Sequence, residues 1–194
     1  MAKRVFFSFH YQDVIDFRAN VVRNHWVTKL NREEAGFFDA SLWENTKRQG
    51  NDALKRLINS GLENTSVTCI LIGAETYNRP WVRYEILKSY KRGNQILGVH
   101  INSIEGRNER TKPLGANPLQ YVGVTFSNDG KETTLWELIS GNWAKYEEID
   151  GSASYQITGV AQEYCGKGYN LGNWYPVYDW VQNNGFENFS NWIG

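Results

Sequence analysis

Cysteine is scarce in this chain, with two in 194 residues: Cys69 inside an apolar run and Cys165 in a glycine-rich stretch. That pair supports neither a disulfide framework nor a metal motif, and Cys69 reads as a small buried hydrophobe. Histidine is as sparse; His10, His25 and His100 are too scattered to suggest a metal site. Net charge is absent too. Twenty-one basic residues balance twenty-one acidic ones, which removes the general electrostatic case for nucleic acid or an anionic membrane as partner. No stretch approaches the roughly 20 apolar residues of a membrane helix, and Lys3-Arg4 leads straight into a strand rather than into a signal-peptide core. The location this implies is cytoplasmic. Missing as well is G-x-G-x-x-G after the first strand, so a Rossmann mode of holding a dinucleotide is not expected. Gly166-Lys167-Gly168-Tyr169-Asn170-Leu171-Gly172 has the wrong spacing and follows no clear strand.

What is present is ordinary globular composition, 41% hydrophobic and 22% charged, arranged as alternating strand and helix signals. Val5 to Phe9 is an apolar strand ending in a polar switch at Ser8 and His10. Asp13 then suits an N-cap, with Val14, Phe17, Val21 and Val22 at helical spacing up to about Trp26. Gly36-Phe37-Phe38-Asp39 reads as a short second strand, residues 40 to 50 as a polar loop, and Ala53, Leu54, Leu57 and Ile58 mark a helical face. Val67 to Gly73 is the third strand. Pro80 to Lys91 is a helix stopped near Gly93, Gln95 to Ile101 a fourth strand, and Tyr121 to Phe126 a fifth after a loop over 103 to 120. Such alternation argues for a parallel sheet with helices on both faces.

Two segments carry chemistry. Arg79-Pro80-Trp81-Val82-Arg83-Tyr84-Glu85 places Trp81 and Glu85 at i,i+4 on one helical face, just beyond the mouth of the third strand. Phe6-Phe7-Ser8-Phe9-His10-Tyr11 leaves the first strand. Together with Gly36-Phe37-Phe38-Asp39-Ala40-Ser41 and Thr65 to Gly73, these segments resemble the Toll/interleukin-receptor (TIR) domain, and within it the bacterial TIR-like proteins of the Thoeris anti-phage system. The likeness covers residues 1 to about 135 as a TIR-like domain, and residues 136 to 194 as a C-terminal extension packed on it. It implies a flavodoxin-like α/β fold with a five-stranded parallel sheet in the order 2-1-3-4-5, in which both segments meet at the switch point between strands one and three. A response regulator shares that fold, but it wants a phosphoacceptor aspartate at the end of strand three, where this chain has Gly73-Ala74-Glu75.

The resemblance further implies an enzyme that converts NAD to nicotinamide and a cyclic ADP-ribose isomer. That product would signal to a separate effector NADase on phage infection. NAD is then substrate, and no cofactor or metal is implied. Expected partners are the effector, reached through the messenger, a phage component as trigger, and further copies through TIR surfaces. A non-catalytic TIR adaptor and a plain NAD hydrolase are the alternatives. Cleaving the N-glycosidic bond of NAD passes through an oxocarbenium-like state but releases a neutral leaving group, so one carboxylate suffices. Glu85 is the catalytic candidate. Trp81 lines the site, Phe6, Phe7 or Phe9 stack on nicotinamide or adenine, and Ser8, His10, Asp39 and Asn45 are candidate polar contacts. Strand alternation puts one or two of the phenylalanines in the core, and Asp39 can equally cap a turn.

The last 54 residues hold twelve aromatics and a net charge of −4, against +4 for the rest. Tyr175 to Asn184 reads as a helix stopped by Gly185, and the stretch as an aromatic clasp on the body of the domain.

Overall fold

The structure, a computed structural model, describes residues 3–38 and 40–194. Its first sheet is five-stranded and wholly parallel. β1 (Lys3–Phe9) lies between β2 (Arg32–Ala35) and β3 (Val67–Ile72), and β4 (Gln95–His100) follows β3. Strand alternation sorts the core. Phe6, Ile70, Ile72 and Ile96 face one side, while Val5, Phe7, Cys69, Leu71, Leu97 and Val99 face the other.

The N-terminal helix comes in two pieces, α1 (Tyr11–Ile15) and α2 (Arg18–Val27), broken at Phe17, which is left-handed at φ 65°. The described part of the expected second strand, Gly36 to Phe38, lies beyond the end of the observed one, which is the charged segment Arg32–Ala35. Edge pairing with β1 overrides poor strand propensity there, helped by the Arg23–Glu34 ion pair and by Arg32 stacked 4.4 Å over Trp26. Gly36 then turns the chain at φ +88°, so close to the Phe7 carbonyl that a Cβ would lie 2.2 Å from its oxygen. The expected polar loop contains a helix, α3 (Ala40–Arg48), which ends before Gly50 and packs on α4 (Asn51–Leu62). α5 (Pro80–Arg92) starts on its proline and ends on left-handed Gly93, as read from the sequence.

The fifth strand of the parallel sheet is a correction. Residues 103–120 form no crossover helix, and both edges of the strand that follows are taken by antiparallel neighbours. β5 (Val122–Phe126) therefore joins a second, antiparallel sheet with β6 (Glu132–Ile139), β7 (Asn142–Lys145), β8 (Ser154–Gln156) and β9 (Gly168–Asn170). The place beside β4 is taken by β10 (Val177–Asp179) from the tail. The sheet order is thus 2-1-3-4-10.

The expected helix over 175 to 184 is also absent. The Asp179 carboxylate accepts from the amides of Val181 (2.9 Å) and Gln182 (2.8 Å), and Asn183 Oδ1 accepts from the Asp179 amide (2.7 Å). These side chains take donors that a helix would have needed. Gly185, instead of stopping a helix, begins α6 (Gly185–Ile193), where the Trp180 ring leaves no room for a Cβ. Trp180, Phe189 and Ile193 complete the core under α2.

The antiparallel sheet covers the outer side of α5. Val82, Ile86 and Leu87 share one cluster with Val122, Val124, Leu135, Tyr146 and Leu171. Arg83 pairs with Glu137 (3.0 Å), and Lys88 and Lys91 both reach Asp150. α5 is therefore held between two sheets.

Candidate active site

The carboxyl end of β1 and the start of α5 meet, as expected of an open α/β sheet. Ser8, on the α5 side of β1, donates its hydroxyl to Glu85 Oε2 at 2.5 Å across 77 residues of sequence. Glu85 is 6% exposed. Burial pushes its carboxyl up to about 8, with the Ser8 hydrogen bond pulling the other way. In the resting site the group is thus mostly protonated at neutral pH.

In front of Glu85 lies a cavity of about 370 Å³ whose walls include Phe7, Phe9, His10, Phe38, Arg79 and Trp81, with Trp43, Glu44 and Lys47 supplied by α3. That volume suits a small-molecule site. Trp81 is half-buried and meets Tyr84 edge to face at 5.9 Å; Tyr84 in turn reaches Asn59 of α4 at 3.1 Å. Phe9 packs 4.4 Å from Phe37, and Phe38 stacks with Trp43 at 6.1 Å. Burial first, then the Arg79 charge, lowers the His10 pKa from 6.5, so its imidazole is neutral at pH 7.

Of the residues singled out from the sequence, Glu85, Ser8, Phe7, Phe9, His10 and Trp81 come together here. Phe6 does not line the cavity. It points to the opposite side of β1 from Phe7, is fully buried, and lies against Gly61 of α4. Asn45 is exposed on α3 and is not part of the wall either. Asp39 lies outside the described residues. Sequence reading missed Arg79, Trp43, Lys47 and Asp13. The last three sit on segments read as loop or cap, but Arg79 lay within the motif itself.

Asp13 is 2% exposed and its Oδ2 has no hydrogen-bond partner among the described residues. Burial raises its pKa to about 6, opposed by the charges of Lys112 and Arg18. It packs on Gly73, where a Cβ would lie 2.2 Å from the carboxylate. The glycine that follows the third strand is thus required by the acid behind the site.

A family model described as "Thoeris protein ThsB, TIR-like domain" matches residues 6–105, the span that holds most of β1, all of α5 and every wall residue of the cavity. The chain belongs to the ThsB TIR-like family. It is also 56% identical, over the full length of both chains, to a Bacillus cereus (strain MSX-D12) protein provisionally named cyclic ADP-D-ribose synthase ThsB1. The family span closes before the antiparallel sheet begins, whereas the likeness to ThsB1 runs through the tail as well. No described helix is long and apolar enough to cross a membrane.

Proposed function

We propose that this ThsB family member is an NAD-consuming TIR enzyme of anti-phage defence, which releases nicotinamide and closes the ADP-ribose remainder into a cyclic messenger for a separate effector. One observation carries the reading. A single buried carboxyl, Glu85, faces an aromatic-walled cavity at the switch point of the sheet, with a hydroxyl, Ser8, that stabilises its ionised form. The name of the Bacillus cereus relative supports cyclisation as the outcome.

The nicotinamide ring of NAD is a cation. Entering beside Glu85, it favours the carboxylate and lowers the raised pKa, so the substrate itself generates the charged form. The C1′–N bond then breaks, its electron pair leaving with neutral nicotinamide. Glu85 holds the ribose hydroxyls and offsets positive charge growing at C1′. A nucleophilic atom of the adenosine half adds to C1′ and loses its proton. Ring closure over hydrolysis depends on that atom arriving before water, which is a matter of holding the ADP half in place. Trp81, Phe7 and Phe9 provide flat apolar surfaces for the bases, and Arg79 a cation near the ribose phosphate.

Activity is gated by infection in this reading, because a constitutive NAD consumer would harm its host. α3, which contributes Trp43, Glu44 and Lys47 to the cavity wall, is the element whose movement would open or close it. A phage component and self-association through TIR surfaces belong to the same proposal. Glu85→Gln is expected to abolish messenger production in lysate of infected cells while the fold is kept, a loss on the order of 3 kcal/mol or more in the transition state. Undiminished product with this variant would overturn the reading.

A further inference from the structure

A second polar cleft, of about 440 Å³, opens beside the Glu85 cavity between Gln12, Asp16, Arg18, Arg107, Arg110 and Lys112. Gln12 lines both. Lys112 is close enough to His10, in the first cavity, to help lower its pKa. The two hollows are therefore neighbours along the carboxyl edge of the sheet.

The cleft is built in advance. Arg18 is 2% exposed, and its guanidinium donates to the carbonyls of Ile104 (2.9 Å) and Arg110 (2.5 Å) and to Asp16 (3.0 Å). The loop after β4 is fastened by the Gly106 amide on the Arg110 carbonyl (3.0 Å), the Arg107 amide on the Asp16 carbonyl (3.3 Å) and the Lys112 amide on the Asn102 carbonyl (2.9 Å). Asp16 is shared between Arg18 and Lys112. Arg107 and Arg110 form no ion pair among the described residues, so the wall holds four cations against one carboxylate and is left with net positive charge. At its rim Phe17 is held in a left-handed backbone conformation that an aromatic residue adopts only under constraint, with Arg107 4.7 Å over its ring. Forked guanidinium donors suit phosphate oxygens, and an arginine-capped ring offers a flat face to a base.

We propose that this cleft binds the diphosphate of the dinucleotide whose nicotinamide riboside half enters the Glu85 cavity, with Arg107 and Arg110 as its charge partners. The proposal rests on the NAD reading of the Glu85 site. It also supplies what ring closure needs, a hold on the ADP half while C1′ reacts.

ADP is the probe, titrated calorimetrically into the purified full-length chain at low salt. It is expected to bind, to bind more weakly as salt is raised, and to be displaced by NAD from the Glu85→Gln protein. Arg107→Gln with Arg110→Gln should raise its Kd at least tenfold, whereas Arg107→Lys with Arg110→Lys keeps the charge and should stay within threefold. In infected-cell lysate the glutamine pair should raise KM for NAD at least tenfold with kcat changed less than threefold. ADP that fails to bind, binds the glutamine pair as well as the wild type, or binds without competing with NAD would overturn the proposal. Failure of the NAD reading itself is separately visible, as NAD left intact by the wild-type chain in infected lysate.

Discussion

The two sides of α5 obey opposite rules. Toward the carboxyl end of the parallel sheet it presents Trp81 and Glu85 to a cavity bordered by His10 and Arg79. Nearby, Asp13 and Glu85 are buried carboxyls with raised pKa values. Along the rest of its buried surface it presents Ile86 and Leu87 to a largely apolar cluster drawn from both sheets. The first side is electrostatically unfavourable at rest, because buried carboxylates lose solvation; the second gains from every apolar group removed from water. The C-terminal part of this chain packs against the helix that carries the buried acid and so holds it in place.

The largest effect is expected from removing that C-terminal support. Truncation after residue 140 deletes β10 and α6, and with them Trp180, Phe189 and Ile193, all essentially fully buried. At about 1.5–3 kcal/mol per side chain of this size, the loss rivals the roughly 5–15 kcal/mol net stability of a domain. Insoluble protein or a collapsed Tm is expected. Phe189→Ala is the graded version, at about 3–5 kcal/mol in denaturant unfolding. A truncated chain that melts like the full length yet no longer answers phage would make the tail a recognition surface instead.

Relieving the unfavourable side should stabilise the fold. The folded-state pKa of Glu85, about 8, lies above its ordinary 4.5. The folded state therefore prefers the protonated acid, an advantage complete below pH 4.5 and lost as pH rises through 8. Glu85→Gln has no proton to lose there. Relative to wild type it should gain stability between pH 4.5 and 8, by on the order of 5 kcal/mol once above that window. Unfolding in urea at pH 5 and pH 9 measures this; equal pH dependence in the two proteins would show that Glu85 is solvated in solution.

Ser8→Ala gives the smallest effect and the most local one. It removes the hydroxyl that stabilises ionised Glu85, a bond to a charged group worth about 1.5–3 kcal/mol. The alkaline rise of kcat/KM should move to higher pH, with less than tenfold loss of activity on the plateau. A pH profile that keeps its midpoint would mean that the hydroxyl does not contact the carboxylate in the working enzyme.

Much of the site could be read in the chain because its signals are local. Trp81 and Glu85 share a helical face through 3.6-residue periodicity, Pro80 and Gly93 bound that helix, and the apolar runs at Val5 and Val67 are recognisable as buried strands. What failed depended on partners far away in sequence. Arg32–Ala35 forms a strand only because β1 offers an edge. Phe17 breaks the first helix where Asp16 is engaged by Lys112, and Val177–Asp179 is a strand rather than helix because β4 offers it an edge. Periodicity did not show which of Phe6 and Phe7 faces the cavity, since both are equally apolar and only the packing of α4 and α5 distinguishes the two sides of β1. By itself, then, the sequence determined the parallel α/β core and the helix that carries Trp81 and Glu85, for which hydrophobic spacing and end signals suffice. Tertiary structure alone decided that the fifth strand comes from the tail, because strand pairing is a contact between distant segments and β5 is taken up by β6 and β9 while β10 pairs with β4.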